Sequence, residues 1–313
     1  MATDLSVHIG ALTLKNPVML ASGCCGYGVD MEPWLDLNRL GGVCLKGLSL
    51  QGSEGNPPPR IWETQGGMIN AIGLQNVGVK TFRGEKAPQL AKYDTLFVAN
   101  FYGHTVDEYA ECAAALDEEG ELDALEMNIS CPNIQAGGIQ FGTDPASVFR
   151  VTQACRKATA KPLWVKLSPN TSDVVAIARA AEDAGADALT CINTMPAMAI
   201  DVEKREFRIS NKIGGLSGPV LRPIAVRVVY QVSRAVKIPV VGIGGVATAA
   251  DALEFILAGA TAVQVGTALF VDPQCPYAII SGIEDYCSRH GFPSVEALVG
   301  QVKDTAVQPR CSE

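Results

Sequence analysis

The apolar run Ala124-Leu125-Glu126-Met127 stops abruptly at the segment Asn128-Ile129-Ser130-Cys131-Pro132-Asn133. A short apolar run of this kind is typical of a buried strand that ends in a loop. Pro132 fixes its own φ and biases Cys131 towards an extended conformation, which stiffens the backbone that carries the thiol. The flanking carboxamides offer donors and acceptors. Cys131 is therefore either a base for a polar heterocycle or a small buried hydrophobe, the common role of a free cysteine.

Seven further apolar runs resemble this one, and segments of helical length separate them. The predicted strands are 18–21, 42–46, 96–100, 125–128, 163–167, 188–192, 240–243 and 262–265. The predicted helices are 31–40, 79–92, 105–119, 145–159, 172–184, 221–235, 249–257 and 277–289. Helix start signals stand at Asp144-Pro145, Ser172-Asp173 and Thr248. Eight parallel strands with intervening helices predict an α/β protein with a (β/α)8 TIM barrel rather than a doubly wound sheet.

The sequence also predicts elements outside the eight barrel strands and their helices. Alternation from Val7 to Leu14 around Gly10-Ala11 predicts an N-terminal β-hairpin. Asp183–Leu189 resembles 257–263, with a glycine where each helix must end, and this repeat supports the fold alone. Long loops are expected after strands two, four and six. The excursions 49–78 and 194–219 leave from the carboxyl ends of strands, where barrel active sites lie.

Composition narrows the class of protein. The 313 residues, 48% hydrophobic and 19% charged, suit one globular domain over 1–313 with a large core. A net charge of −8 without a Lys/Arg block argues against a nucleic-acid partner, although local positive charge can still bind a phosphate. The N-terminus lacks a signal-peptide pattern, and apolar runs such as 238–243 are too short for a bilayer, so we expect a soluble, cytoplasmic protein.

The ten cysteines contain no C-x-x-C spacing, which removes the common zinc, iron–sulfur and thioredoxin-like patterns. No metal site is expected. Four cysteines lie in apolar strand-like or helix-like runs and are expected to be reduced core residues: Cys44, Cys112, Cys155 and Cys191.

Two lysines close predicted strands, Lys46 on strand two and Lys166 on strand five. A lysine in an apolar run loses hydration unless an anion meets it. Each lysine either pairs with a neighbouring carboxylate, for which Glu126 is a candidate, or meets an anionic ligand. Two lysines on the same face favour the ligand.

Glycines and amides complete this face. Gly244-Gly245 after strand seven and Gly266-Thr267 after strand eight let backbone N–H groups approach a ligand, and barrels commonly bind phosphate there. Because G-x-G-x-x-G is absent, the pattern favours a mononucleotide-type phosphate site over a dinucleotide site. The segment 70–76, with Asn128, Asn133 and Asn193, is either polar loop or the surroundings of a small ligand rich in C=O and N–H groups.

Six motifs resemble the dihydroorotate dehydrogenase family and follow one another in family order. They are NISCPN at 128–133, NAIGLQN at 70–76, INTMPAMAIDVEKREF at 192–207, GGLSGP at 214–219, VGIGGV at 241–246 and VQVGTALF at 263–270. The stretch CPNIQAGGIQFG at 131–142 is similar to the catalytic subunit of the class 1B, NAD-linked enzymes. Class 1A chains usually carry a CPNVPGKPQ-type continuation, and class 2 chains have a membrane-associating extension and a serine base.

The resemblance implies an FMN-containing barrel that oxidises (S)-dihydroorotate to orotate in de novo pyrimidine (UMP) biosynthesis. In that family pattern Cys131 is the general base that removes the C5 proton, while the C6 hydride goes to flavin N5. Lys46 contacts both flavin and substrate, and Lys166 stabilises the charge of reduced flavin. The implied FMN residues are Ser22, Lys46, Gly47, Asn100, Asn128, Lys166, Ile192, Gly218, Gly244, Gly245, Gly266 and Thr267. The implied substrate residues are Lys46, Asn70, Ala71, Ile72, Gly73, Leu74, Asn128, Asn133, Asn193 and Thr194.

Two features depart from the family. Gly47 stands where many relatives have threonine, and Cys24-Cys25 has no functional account. Direct NAD reduction is not expected from this chain, so the resemblance implies an electron-transfer subunit with FAD and a [2Fe–2S] cluster. It also implies a self-dimer at the centre of a heterotetramer.

Four alternatives remain open. Two are near relatives, a class 1A-like fumarate-linked homodimer and the pyrimidine-reducing domain of dihydropyrimidine dehydrogenase, and CPNIQAGGIQFG argues against both. The third is a catalytically inert flavin-binding subunit, which the intact Cys131, Lys46 and Lys166 argue against. The fourth is a phosphate-binding lyase or isomerase barrel without a redox role.

Overall fold

The computed structural model describes residues 3–129 and 141–304 and contains a closed barrel of eight parallel strands. The strands in chain order are β1 (Val7–Ile9), β2 (Leu12–Leu14), β3 (Val18–Leu20), β4 (Gly42–Leu48), β5 (Ile61–Thr64), β6 (Gly67–Asn70), β7 (Leu96–Phe101), β8 (Ala124–Asn128), β9 (Leu163–Leu167), β10 (Ala188–Cys191), β11 (Met195–Met198), β12 (Ile200–Asp201), β13 (Glu206–Phe207), β14 (Ile213–Ser217), β15 (Val240–Ile243) and β16 (Ala262–Val265). The barrel order is β3-β4-β7-β8-β9-β10-β15-β16, closing back on β3. The predicted (β/α)8 barrel and all eight of its strands are confirmed.

Helices cover the outside of the barrel. They are α1 (Val79–Thr81), α2 (Val106–Asp117), α3 (Pro145–Ala158), α4 (Val174–Asp183), α5 (Arg222–Ser233), α6 (Ala249–Ala258) and α7 (Cys275–His290). Close packing between layers needs small residues in places. A Cβ on Gly242 of β15 would come within 2.6 Å of the Phe255 ring on α6, so glycine there lets this ring sit directly on the strand.

The predicted start signals act as caps. The side chains of Asp144, Asp173 and Thr248 accept hydrogen bonds from the backbone N–H groups of the first turns of α3, α4 and α6. The repeated glycines follow helix ends with positive φ, 97° at Gly185 and 122° at Gly259. The predicted hairpin is also confirmed, since β1 and β2 pair antiparallel.

Two segments predicted as regular α-helices form other helical turns instead. Segment 31–40 forms only two short 3-10 turns, Val29–Met31 and Leu37–Arg39, because Pro33 lacks an N–H and Asp36 caps the second turn through Asn38 N–H. Segment 79–92 starts as α1 and continues as a π-helix at Phe82–Lys86. It ends as a 3-10 helix at Ala87–Lys92, where Pro88 removes another backbone donor.

The excursions after the second and sixth barrel strands are not the irregular connections that were predicted. They form a four-stranded antiparallel sheet in the order β11-β14-β6-β5, with β12 and β13 as a separate pair. Strands β14 and β6 join the two excursions, with Gly215 opposite Asn70. The predicted loop after the fourth barrel strand falls largely on residues 130–140, which lie outside the described residues.

The buried apolar side chains form one large cluster that includes the barrel strands and the inner faces of the helices. The four cysteines predicted to be reduced core residues are all buried and free of disulfides. None of the helices in the described ranges is long and apolar enough to cross a membrane.

The N-cap of α4 allows a test of how much one capping hydrogen bond contributes to the free energy of unfolding. Asp173→Ala removes the acceptor of the Ala176 N–H bond (2.9 Å), and we expect the free energy of unfolding to fall by about 0.5–2 kcal/mol. Asp183→Ala is the matched control, since Asp183 is exposed at the opposite end of the same helix, where a negative charge opposes the helix dipole. Urea unfolding of both variants measures the difference, and an equal loss in both would contradict the capping role.

Candidate active site

A buried carboxylate lies inside the barrel. Glu126 of β8 is fully buried, and side chains from five other strands surround its two oxygens. Asn100 Nδ2 and Cys44 Sγ donate to Oε1 at 2.7 and 3.2 Å, while Thr190 Oγ1 and Gln264 Nε2 donate to Oε2 at 2.8 and 3.0 Å. Lys166 Nζ lies 3.5 Å from Oε1.

Lys166 and Glu126 form a buried ion pair, with side chains 6% and 0% exposed. Burial alone would raise the pKa of Glu126, but the Lys166 ammonium and the surrounding donors lower it below its usual value. Burial alone would lower the pKa of Lys166, but Glu126 raises it above its usual value. Both groups are therefore charged at neutral pH. The carboxylate that the sequence suggested as a lysine partner does pair with Lys166.

Lys46 differs from Lys166. It is half-buried on β4, and it makes no hydrogen bond or ion pair with the residues that the structure describes. Burial lowers the pKa of Lys46. The strand is irregular here, since Leu45 pairs with Ala99 but Leu48 pairs with Phe101, which leaves one extra residue on β4. Such a bulge redirects side chains, and bulges are common beside active sites. It had no recognisable signal in the sequence.

Gly47 follows Lys46 in the same bulge. A Cβ at this position would come within 2.8 Å of Asn100 Oδ1, so the absence of a side chain lets the carboxamide lie against the backbone of β4. The same carboxamide donates to Glu126. The departure at Gly47 therefore has a local packing reason in this chain.

Amide side chains converge at the carboxyl ends of the strands. Asn193 Nδ2 donates to Asn128 Oδ1 at 3.2 Å, and the Thr194 N–H donates to Asn193 Oδ1 at 2.8 Å. A Cβ at Gly215 would overlap the Thr194 hydroxyl, and Asn70 Nδ2 donates to the Gly215 carbonyl at 3.3 Å. The extra sheet thus brings Asn70 to the amides that follow the barrel strands.

The segment 71–74 is half-buried and is held by hydrogen bonds from beneath. Leu74 adopts a positive φ of 57°, and its carbonyl accepts from Asn76 Nδ2 at 2.9 Å and from the Tyr102 hydroxyl at 3.2 Å. Tyr102 and Asn76 are joined by a further bond of 2.9 Å. The sequence analysis missed Tyr102, which supports this segment from the residue after β7.

A glycine cradle forms where three elements meet. We use this name for Gly218, Gly244 and Gly245, which have positive φ of 100°, 134° and 81°. A Cβ on Gly245 would come within 2.8 Å of the Gly218 carbonyl, and a Cβ on Gly218 would come within 3.6 Å of Thr267 Cγ2. Thr267 also donates to the Ser217 hydroxyl at 2.8 Å. Only glycine permits both this backbone conformation and this approach.

The cradle and the neighbouring turn after β16 contain backbone donors without a protein acceptor among the described residues. Within the described ranges, the backbone N–H groups of Gly244, Gly245, Gly266 and Thr267 donate to no protein acceptor. Exposed N–H groups on adjacent turns form an anion-binding concavity, and the loops after the last two strands are the usual phosphate site of such barrels. This arrangement fits a phosphate monoester.

Cys24 lies beside Gly266 and within electrostatic range of both lysines. A Cβ on Gly266 would come within 3.4 Å of its sulfur. Burial raises the pKa of the Cys24 thiol to about 11, although Lys166 and Lys46 act in the opposite direction. The thiol is therefore protonated at neutral pH and is a poor base there.

Most of the predicted site residues meet at the carboxyl end of the barrel. Ile192 is buried, donates its N–H to the Ile243 carbonyl and lies against Gly244, while Ser22 follows β3. Cys131 and Asn133 lie outside the described residues. The roles assigned to the predicted residues remain predictions. Thr190 and Gln264 carry no sequence signal of a site, because their positions inside barrel strands resemble ordinary core positions.

Comparisons with known proteins show which family this chain resembles. A family model described as dihydroorotate dehydrogenase matches residues 4–287. The chain is 54% identical over 303 residues to the dihydroorotate dehydrogenase B (NAD(+)), catalytic subunit, of Pelobacter propionicus, covering 97% of this chain and 100% of the relative. The proteins of the same description from Trichlorobacter lovleyi and Geobacter sulfurreducens are 55% identical over 303 residues and 54% over 300 residues. These alignments cover 97% and 96% of this chain and 100% and 98% of the relatives.

The close packing of the glycine cradle predicts that a side chain at Gly245 weakens ligand binding. Gly245→Ala places a methyl group against the Gly218 carbonyl, and we expect the affinity for a phosphate monoester, tested with FMN, to fall by about 10–100-fold, the range for losing hydrogen bonds to a charged group. Gly291→Ala is the matched control because Gly291 has a similar φ of 73° but no atom within 4 Å of the added Cβ. Quenching of flavin fluorescence measures both affinities. Equal affinities in the two variants would remove the cradle from the binding site.

Proposed function

The chain belongs to the dihydroorotate dehydrogenase family, and on that premise we propose that it oxidises (S)-dihydroorotate to orotate through FMN bound at the barrel mouth. Family membership makes it an oxidoreductase of pyrimidine synthesis, of the NAD-linked type found in its relatives. One observation carries the site assignment. The cradle, with its free N–H groups, lies at the same end of the barrel as Lys46, an ammonium without a counter-ion among the described residues.

The residues present fit FMN. The cradle and the N–H groups of Gly266 and Thr267 would hold the phosphate, which is the only dianionic part of this cofactor. Asn100, Asn128 and Lys166 would meet the polar edge of the ring system, and Ile192 would support an apolar part. Bound FMN supplies the acceptor for the hydride from C6 of the substrate.

The two lysines would have separate tasks. Lys166 is buried and kept charged by Glu126, so it would present a fixed positive charge to the flavin side of the site. Lys46 is half-buried and forms no ion pair with the described residues, so it would attract the carboxylate of dihydroorotate. If Lys46 contacts both flavin and substrate, as the family pattern implies, it would orient the two relative to each other.

The amide cluster would bind the pyrimidine ring. Asn70, Asn128, Asn193 and Thr194 provide both donors and acceptors, which matches a ring that carries N–H and C=O groups. The backbone of Ala71–Leu74 would close one side, with Asn133 as a further contact predicted from the sequence. Hydrogen bonds among these amides hold them in place before a ligand arrives, which lowers the entropy lost on binding.

Cys131 would remove the proton from C5. Its position in the NISCPN motif and the family pattern support this role, and Cys24 is a poor alternative because its pKa is raised to about 11. An ordinary cysteine has a pKa near ~8.5, so proton abstraction would limit the rate at neutral pH unless nearby positive charge favours the thiolate.

The electrons would leave through a partner subunit. The relatives are described as catalytic subunits, which implies a second chain, and this sequence has neither a dinucleotide fingerprint nor iron–sulfur cysteine spacing. We propose that the partner carries FAD and a [2Fe–2S] cluster and reduces NAD.

We also propose that the chain pairs with a second copy of itself within a heterotetramer. The sheets built from the two excursions expose several large apolar side chains, and such clusters are typical of subunit contacts. These side chains are Ile61, Trp62, Met198, Ile200, Val202, Phe207 and Ile213.

A single-turnover experiment tests the proposed reaction. Purified protein should contain FMN, and anaerobic dihydroorotate should bleach the flavin absorbance. Cys131→Ser should retain FMN but bleach about 10²–10⁴-fold more slowly at neutral pH, with partial recovery at high pH. Protein that takes up no FMN would refute the redox function, and near-normal bleaching by the variant would exclude Cys131 as the base. Adding NAD with the partner subunit, or fumarate alone, then distinguishes the acceptors.

Lys46 predicts a pH dependence of substrate binding. Because burial lowers the pKa of Lys46, its ammonium is present below that lowered pKa and is lost as pH rises through it. We expect KM for dihydroorotate to rise with pH in the native enzyme. In Lys46→Gln, KM should be about 10–100-fold higher and flat with pH. Lys80→Gln removes an exposed lysine as the control. A native-like KM profile in Lys46→Gln would contradict the assignment.

A further inference from the structure

We propose that Glu126 is a positioning residue for the reaction, holding the Lys166 ammonium and the Asn100 carboxamide in the orientation that the flavin site requires. The inference rests on the proposed function for its consequence, but its geometry stands on this chain alone. Glu126 lies beneath the site and would touch neither substrate nor cofactor.

One carboxylate oxygen serves both side chains. Glu126 Oε1 accepts from Asn100 Nδ2 at 2.7 Å and lies 3.5 Å from Lys166 Nζ. Asn100 is on β7 and Lys166 is on β9, the two strands that flank β8 in the barrel. A single acceptor therefore sets the distance between a carboxamide and an ammonium that come from opposite sides of its strand.

The other oxygen is held by two strands that are not neighbours of β8. Thr190 and Gln264 donate to Oε2 at 2.8 and 3.0 Å, from β10 and β16. These two donors fix the plane of the carboxylate, so Oε1 cannot rotate away from Lys166 without breaking them. Glu126 thus has one oxygen anchored to the barrel and one directed at the site residues.

Lys166 depends on this carboxylate for its charge. Within residues 3–129 and 141–304, the titratable groups that act on Lys166 are Glu126 on β8, Cys44 on β4 and Cys24 after β3. The pKa of Cys24 is raised to about 11 and that of Cys44 well above its usual value, so both thiols are neutral near pH 7. Among the described residues that face Lys166, Glu126 is therefore its one anionic neighbour.

Stability alone gives a weak reason for such a pair. Taking two charges out of water costs several kcal/mol per ion, and apolar side chains of similar volume are often as stabilising as a buried ion pair. The barrel interior elsewhere is apolar and fully buried. A charged group retained under the site residues is more readily explained by its effect on Lys166 and Asn100.

The test compares variants that keep the volume of the interior. Glu126→Gln removes the charge, and the swap Glu126→Gln with Gln264→Glu keeps a buried carboxylate but moves it from β8 to β16. Both variants remove the carboxylate that lies 3.5 Å from Lys166 Nζ. Thr190→Val is the control, because it removes one hydrogen bond to Oε2 and leaves the ion pair intact.

Two readouts are measured from about pH 6 to about pH 9, the range in which the native Lys166 stays charged. They are the FMN dissociation constant, from fluorescence quenching, and the single-turnover rate of flavin bleaching by dihydroorotate. Without Glu126, burial lowers the pKa of Lys166, so its charge is lost as pH rises. We expect the ratio of variant to native rate to fall by about 10–100-fold across the range, with FMN affinity weakening in parallel.

The outcomes separate positioning from folding. Thr190→Val should lose stability in urea while keeping the native pH profile. A constant rate ratio in both Glu126 variants, or the same pH-dependent loss in Thr190→Val, would overturn the proposal. Failure of the native protein to be bleached by dihydroorotate would instead refute the proposed function, and the pH dependence of FMN affinity would still decide the role of Glu126.

Discussion

Glu126 brings a negative charge into the interior of a closed barrel, and much of the surrounding architecture serves to accommodate it. An isolated buried carboxylate is prohibitively costly, so each of its oxygens must find donors. Five other strands supply them, which ties the side-chain register of the barrel to a single group. The donors are Cys44, Asn100, Lys166, Thr190 and Gln264. Below this layer the interior is apolar, and above it the carboxyl ends of the strands open into a polar mouth.

The mouth is completed by segments that are distant in sequence. Strand β6 belongs to the excursion after β4, and β14 belongs to the excursion after β10, yet their pairing places Asn70 beside Gly215 and Thr194. The same pairing leads from Ser217 into Gly218, which lies against Gly245 and Thr267. One antiparallel ladder therefore links the amide cluster to the glycine cradle. The proposed substrate and phosphate ends of the site are thus positioned by a common element.

Charge is distributed unequally over this site. Lys166 is ion-paired with Glu126 and stays charged, whereas Lys46, at the bulge in β4, forms no ion pair with the residues described. Such a division suits the proposed function, in which the site holds a cofactor and exchanges an anionic substrate. The thiol of Cys24 lies nearby, but its raised pKa keeps it neutral.

The sequence by itself determined the barrel, its strands, most helix boundaries and the motifs of the site, because apolar periodicity, caps and glycines act through neighbours a few residues apart. It raised Glu126 as a lysine partner but could not decide between Lys46 and Lys166. The tertiary structure alone decided that question, along with the pairing of β6 with β14, the bulge at Lys46 and the ring of donors around the carboxylate. Each of these depends on contacts between strands far apart in the chain. A sequence pattern over a few residues cannot predict such contacts, because they form only when the barrel closes.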